Sequence, residues 1–169
     1  MPKQETLEKA EQDKREGKAP TTQAGEFIKE TIDDMRAGKI GARSTKQAIA
    51  IGLSKARRAG VDLPPPKKGK TSEKTRKSAE RAYEVGQSNP NQPVNPKRSQ
   101  ASTKALQREG HQAVSHAALS EQATEQAEQR TPAERKRIGR KAAQTRLEHQ
   151  TGSKSKSPAQ KSRATPRVG

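Results

Sequence analysis

"STKQAIAIGLSKARRAGVDLPPPKKGK", residues 44–70, carries the densest run of large aliphatic side chains in the chain and then, without a break, three prolines and a basic run. Ser44 offers the side-chain oxygen of an N-cap and Gly60 a stop, so the spacing predicts a helix from Ser44 to about Ala59. On it Ile49, Leu53 and Ala56 recur at i, i+4 and i+7, the pattern of a helix with one face to bury. Ile51 departs from that stripe, projecting about 200° from Ile49 among basic side chains. Either burial is wider than a contact between two helices, or a partner covers Ile51. Beyond Gly60, "DLPPPKKGK" cannot continue a helix through its prolines. It predicts a semi-rigid polyproline II arm over 64–70 that holds Lys67, Lys68 and Lys70 away from the helix.

A second apolar stripe precedes the first. From Glu26 to Ala37 the residues Phe27, Ile28, Thr31, Ile32 and Met35 share one arc of a helix, with Glu26, Glu30, Asp33 and Asp34 opposite. Two stripes joined by the glycine-containing turn "GKIGA" predict a small helical hairpin over about 26–60, within a segment 25–63, and its acidic and basic helices would relieve part of each other's charge. The apolar content elsewhere is thin. Val, Ile, Leu and Phe total 18 of 169 residues, about 11%, well under the roughly 20% below which a highly charged chain is expected to be disordered. Mean hydropathy is −1.26 and aromatics make up 1%. The expectation is therefore a mostly disordered, all-α chain in which one hairpin is joined by conditional helices and basic tails.

Around the hairpin, residues 1–24 read as a charged marginal helix and linker, with i,i+4 pairs such as Glu5–Lys9 and a break at Pro20 and Gly25. Residues 71–86 predict a helix with Ala79, Ala82 and Tyr83 on a thin apolar face. Residues 87–100 read as a linker, and 101–130 as an Ala/Gln-rich helical segment whose large aliphatics are Leu106, Val114 and Leu119. "TPAERKRIGRKAAQTRLEHQTG", 131–152, carries the clearest capping signal, with Thr131 at N-cap, Pro132 at N1 and Glu134 at N3. Residues 153–169 read as a disordered basic tail.

The net charge is +17 with pI near 10.5, which implies a polyanionic partner. Residues 41–70 hold eight Lys or Arg against the single Asp62, a net +7. Within that run Lys46, Lys55, Arg57, Arg58, Lys67, Lys68 and Lys70 form a candidate phosphate-binding set, joined further on by Arg135, Lys136, Arg137, Arg140 and Lys141. Each cation that replaces a condensed counterion favours binding by releasing it. With no Trp, one Phe and one Tyr, stacking platforms for single strands are lacking. Duplex DNA, bound without sequence preference, is the expected partner, with RNA or a ribosome as an alternative.

Other classes find less support in the residues. No apolar run is long enough to span a bilayer, and "MPKQETLEKAEQDKREGK" lacks the apolar stretch of a secretory signal, so a cytoplasmic, nucleoid-associated protein is expected. His111 and His116 stand five apart, about 140° round a helix, where zinc sites favour i,i+4. Without a catalytic motif or clustered carboxylates, neither enzyme nor cofactor is expected. Self-association through the 26–60 hairpin is a further expectation.

At residues 39–60, "KIGARSTKQAIAIGLSKARRAG" resembles the bacterial DUF6496 domain, in which a basic lead runs into a Lys-Gln-Ala-Ile-Ala-Ile-Ala-Leu-Ser-type helix and an Arg-Ala-Gly end. Counting "KREGKAPTTQAGEF", the resemblance covers roughly residues 1–70. It implies a small, basic bacterial protein suspected to touch DNA and supplies no reaction. "TPAERKRIGRKAA", 131–143, looks like one copy of a stress-associated repeat whose usual form ends in Lys-Gly-Gly, with Lys141-Ala142-Ala143 in its place. It implies the alternative of a hydrophilin-type stress protectant.

Overall fold

The computed structural model describes residues 2–90 and 95–154. Residues 91–94 of the expected linker and 155–169 of the expected tail lie outside them. The described residues form α1 (Gln4–Arg15), α2 (Pro20–Arg36), α3 (Thr45–Arg58), α4 (Glu73–Ser88), α5 (Pro96–Gln107), a 3-10 turn (Gln112–Val114), α6 (His116–Glu128) and α7 (Pro132–Lys154). Among them there is no strand. They divide into one unit through Ala123 and another from Thr124.

The first three helices end alike. Glu16, Ala37 and Ala59 are followed by Gly17, Gly38 and Gly60 at φ +70°, +72° and +86°, where a side chain would be strained. In each case the glycine amide bonds back three residues and the next amide five, as in Val61 N–H to the Ala56 carbonyl at 3.2 Å. This double bond satisfies carbonyls that the helix end leaves over. The sequence signature is Arg-x-Gly three times, at 15–17, 36–38 and 58–60. Helix α2 starts at Pro20, earlier than the apolar stripe implies, because a proline at N1 loses no helical hydrogen bond. Gly25 therefore lies inside α2, and the break falls at 16–19.

Within the first unit α1 packs on α2, α2 on α3, and α3 on α4. Phe27 meets Ala56 in one apolar cluster and Met35 meets Ala48 in another, so α2 and α3 run antiparallel. The buried face of α3 is not the one its largest residues mark. Thr45, Ala48, Gly52 and Ala56 are buried, while Ile49, Ile51 and Leu53 are half-buried at its flanks. A Cβ on Gly52 would stand 2.7 Å from the Ile28 Cα, so the glycine sets how closely the two backbones approach. On α4 the corresponding residues are Ala79, Ala82 and Gly86, and a Cβ on Gly86 would strike the Arg57 carbonyl.

This choice of residues explains why the described part of the chain is more extensively helical than its composition predicts. Among the described residues, the buried apolar positions are Ala10, Ala24, Ala42, Ala48, Ala56, Ala79 and Ala82 with four larger side chains, Phe27, Met35, Val61 and Val114. Alanine carries the highest helix propensity and loses no side-chain entropy on burial. Close approach then supplies dispersion contacts that would otherwise need larger side chains. Counting only Val, Ile, Leu and Phe misses such an interior.

The second cluster is completed from far along the chain. Val114 is 2% exposed and packs with Met35, Ala42 and Ala48, with Ile32, Ile40 and Ile51 around it. The segment 106–114 is tied down by the Gly41 amide on the Leu106 carbonyl at 2.8 Å and the Ala42 amide on the Gly110 carbonyl at 3.0 Å. Thr45 Oγ1 donates to the Ala113 carbonyl at 2.7 Å, and Arg43 pairs with Glu109 at 2.7 Å. Ile51 thus has its cover inside the chain, from a strap about 60 residues downstream.

Charge is neutralised between α1, α2 and α3. Glu30, 6% exposed, accepts from the Lys3 amide at 3.0 Å and from Lys55 Nζ at 3.0 Å. Burial alone would push the Glu30 carboxyl up. The Lys3 amide, the Thr6 hydroxyl and the Lys55 ammonium outweigh that and hold it below the usual range. Asp34 takes Lys3 at 3.1 Å and Lys39 at 3.2 Å, with Lys55 at 3.9 Å. An acidic α2 against a basic α3 lets each carry its charge next to the other.

Candidate nucleic-acid interface

The candidate cations separate by what they touch. Lys55 is engaged with Glu30 and Asp34. Arg57 is 8% exposed; its Nε donates to the Leu63 carbonyl at 3.0 Å and its Nη2 to the Pro64 carbonyl at 3.4 Å. Burial lowers its guanidinium pKa, and backbone carbonyls take the place of water around it. The side chain holds the root of the proline arm, and Leu63 beside it packs on the Phe27 cluster. Arg57 therefore sits in the framework that positions the arm, and Lys55, half-buried, is paired with the carboxylates of α2.

Lys46, Arg58, Lys67, Lys68 and Lys70 are exposed. Lys46 rises from the first turn of α3, which Ser44 caps by accepting from the Gln47 amide at 3.2 Å, and Arg58 stands at its last. Pro64–Pro66 lie outside any helix, as the proline rings require. The chain then turns at Lys67–Lys70, closed by the Lys70 amide on the Lys67 carbonyl at 3.1 Å. Next comes α4, capped by Ser72 on the Thr75 amide at 3.2 Å. Helix α4 brings Lys74, Lys77 and Arg81 to the surface, cations that the sequence reading passes over. Their spacing of three and four residues was the available signal.

In the second unit, Arg135, Lys136, Arg137, Arg140 and Lys141 are exposed on α7. The box at its start is formed: Thr131 Oγ1 accepts from the Glu134 amide at 3.3 Å and Glu134 Oε2 from the Thr131 amide at 2.9 Å. Arg135 folds back, its Nε donating to the Arg130 carbonyl at 3.0 Å and its Nη2 to the Glu128 carbonyl at 3.4 Å. It covers the end of α6 that the helix leaves unsatisfied. At 100° per residue, Lys136, Arg137, Arg140 and Lys141 spread over about 140° of the helix surface.

Among the described residues no helix is long and apolar enough to cross a membrane, and no three His, Asp or Glu side chains gather as metal ligands would. His111 Nδ1 lies 3.1 Å from the Ile40 carbonyl, inside the strap. Tyr83, the lone tyrosine, donates to Asp62 at 2.7 Å, and the phenylalanine is fully buried. No curated protein and no solved structure matches the chain. Residues 5–68, which run from the start of α1 into the lysine turn, match the model of the DUF6496 family, a family of unknown function.

Proposed function

We propose that the chain binds duplex DNA through its phosphates, without reading base sequence. The observation that carries this reading is the sorting of the basic run. Lys55 and Arg57 are spent on the framework, and Arg58, Lys67, Lys68 and Lys70 stand exposed with no ion pair to a described residue. A chain of net charge +17 with that arrangement gains affinity from counterion release. Flexible lysines contact phosphates as point charges and carry no base information. A duplex is preferred to a single strand because the one Phe is buried and the one Tyr hydrogen-bonds Asp62, which leaves little aromatic surface for bases to stack on.

The test is a salt titration of binding to two duplexes of unrelated sequence. Lys67→Ala, Lys68→Ala and Lys70→Ala together should flatten the plot of log K against log salt by about 2.7, at about 0.9 per phosphate contact. Both duplexes should weaken alike. An unchanged slope and affinity would remove the lysine turn from the interface, and a large preference for one duplex would contradict the absence of base readout.

A further inference from the structure

We infer that the outer face of α4, formed by Lys74, Lys77 and Arg81, is a second phosphate-contact element that continues the lysine turn into one cationic surface over residues 67–81. This rests on the reading of the chain as a duplex-DNA binder and extends it beyond residues 5–68, the stretch matched by the family model.

The three side chains are exposed and fall at i, i+3 and i+7, within an arc of about 60° at 100° per residue. The opposite side of α4 is fixed. Ala79, Ala82 and Gly86 are buried and centre about 140° away round the helix, with Gly86 seated against the Arg57 carbonyl. Tyr83 adds a hydrogen bond to Asp62 at 2.7 Å. With α4 locked in rotation against α3, the cationic face is held outward and is not one average among many. Phosphate contacts made from such a framework lose less entropy on binding than contacts from a mobile tail.

The acids of α4 lie along one flank of this face, about 20° (Glu84), 40° (Glu73) and 60° (Glu80) round the helix from Lys77. Glu73 and Glu80 both close on Arg76, at 2.7 Å and 3.2 Å, so the one arginine on that flank gathers them together. Glu84 bounds the cationic stripe at its C-terminal end. Lys74, Lys77 and Arg81 make no ion pair with a described residue, whereas Arg76 on the same helix makes two. From Lys74 to Arg81 the helix rises about 10 Å, the length of about three phosphates of one strand at 3.4 Å each.

The experiment compares the intact chain with Lys74→Gln, Lys77→Gln and Arg81→Gln combined, glutamine being a good helix former, on a duplex DNA of about 30 base pairs with one phosphate charge per about 1.7 Å. The expected result is a salt slope flatter by about 2.7, with Arg76→Gln as a control that leaves the slope unchanged. Far-UV circular dichroism verifies that α4 persists; if the triple variant loses helix, Lys77→Gln alone should still flatten the slope by about 0.9. If the intact chain binds and the lysine-turn variant is flattened while the α4 variants match the intact chain, the inference is overturned and the DNA-binding reading stands. If the intact chain does not bind duplex DNA at low salt, both fall. If an RNA duplex of the same length competes more tightly and shows the same loss, the face belongs to an RNA contact and the assignment to DNA is overturned.

Discussion

Phe27→Ala should lower the stability of the first unit by about 3–5 kcal/mol, the range for removing a fully buried aromatic ring. Phe27 is 0% exposed, and Ala10 of α1, Ala24 of α2, Ala56 of α3 and Val61 beyond it form one buried cluster with it, against which Leu7, Leu53 and Leu63 pack. It is the one aromatic ring of a cluster whose other buried members are alanines and a valine. A domain's whole stability is about 5–15 kcal/mol, and this loss is a large share of it. In urea, with a slope of about 2 kcal/mol per molar for a unit of this size, the midpoint should fall by about 2 M. Phe27→Leu keeps most of the volume and should cost less than about 1.5 kcal/mol. If Phe27→Ala moved the midpoint by only a few tenths of a molar, α1, α2 and α3 would not converge on the ring.

Val114→Asp should release the strap while leaving the Phe27 cluster in place. A carboxylate at this position would be buried among the apolar side chains of Met35, Ala42 and Ala48, and its desolvation exceeds what the strap's contacts return. The strap can escape by undocking. The cost is then capped at the burial of the Val114 side chain, about 1.5–3 kcal/mol, with about 1 kcal/mol for each bond released from Gly41, Ala42 and Thr45. Amide exchange at Gly41 and Ala42, whose hydrogen bonds run to Leu106 and Gly110, should accelerate by at least about a hundredfold, equivalent to about 2.7 kcal/mol of lost protection. Amides in the middle of α2 near Phe27 should change little. Uniform acceleration through α1–α4 would show that the two clusters open as one.

Local signals in the sequence mark several helix ends, because a cap is a matter of a few neighbouring residues, but not every span: α5 starts at Pro96, inside the stretch 87–100 read as a linker, and the segment 101–130 is interrupted between Gln107 and His116. Ser44, Thr131 and Glu134 cap as their side chains suggest, and Gly60 ends α3 in the left-handed conformation that it alone tolerates there. Packing was harder to read. The largest side chains of α3 mark the stripe Ile49–Leu53–Ala56, whereas burial follows Thr45–Ala48–Gly52–Ala56, one residue earlier round the helix. Small residues win that face because they let backbones meet, and a ranking by hydrophobicity gives them no weight. The cover over Ile51 was illegible for a different reason. Val114 is a lone valine in a polar stretch, and nothing local ties it to a helix some 60 residues upstream.

The same division applies to the candidate site. Lys67, Lys68 and Lys70 stand out because prolines and a turn keep them from any helix face. Lys55 and Arg57 look identical to them in the sequence, and only the tertiary positions of Glu30, Leu63 and Pro64 show that they are engaged. Lys74, Lys77 and Arg81 were passed over because Glu73, Glu80 and Glu84 dilute the charge of α4 to near neutrality. That Arg76 gathers Glu73 and Glu80, and leaves Lys74, Lys77 and Arg81 outside those pairs, becomes visible only when the helix is drawn in three dimensions.

On the proposed reading, a framework packed through alanine and glycine keeps Arg57 buried and Lys55 paired with Glu30 while it presents the cations of 58–81 to phosphate. The most direct measurement follows the side-chain NMR signals of the lysines and arginines as duplex DNA is added. Signals from Arg58, Lys67, Lys68, Lys70, Lys74, Lys77 and Arg81 should shift together and return on addition of salt, while those of Lys55 and Arg57 stay in place. Movement of Lys55 and Arg57 with silence at 67–81, or no response from the first unit at all, would contradict it.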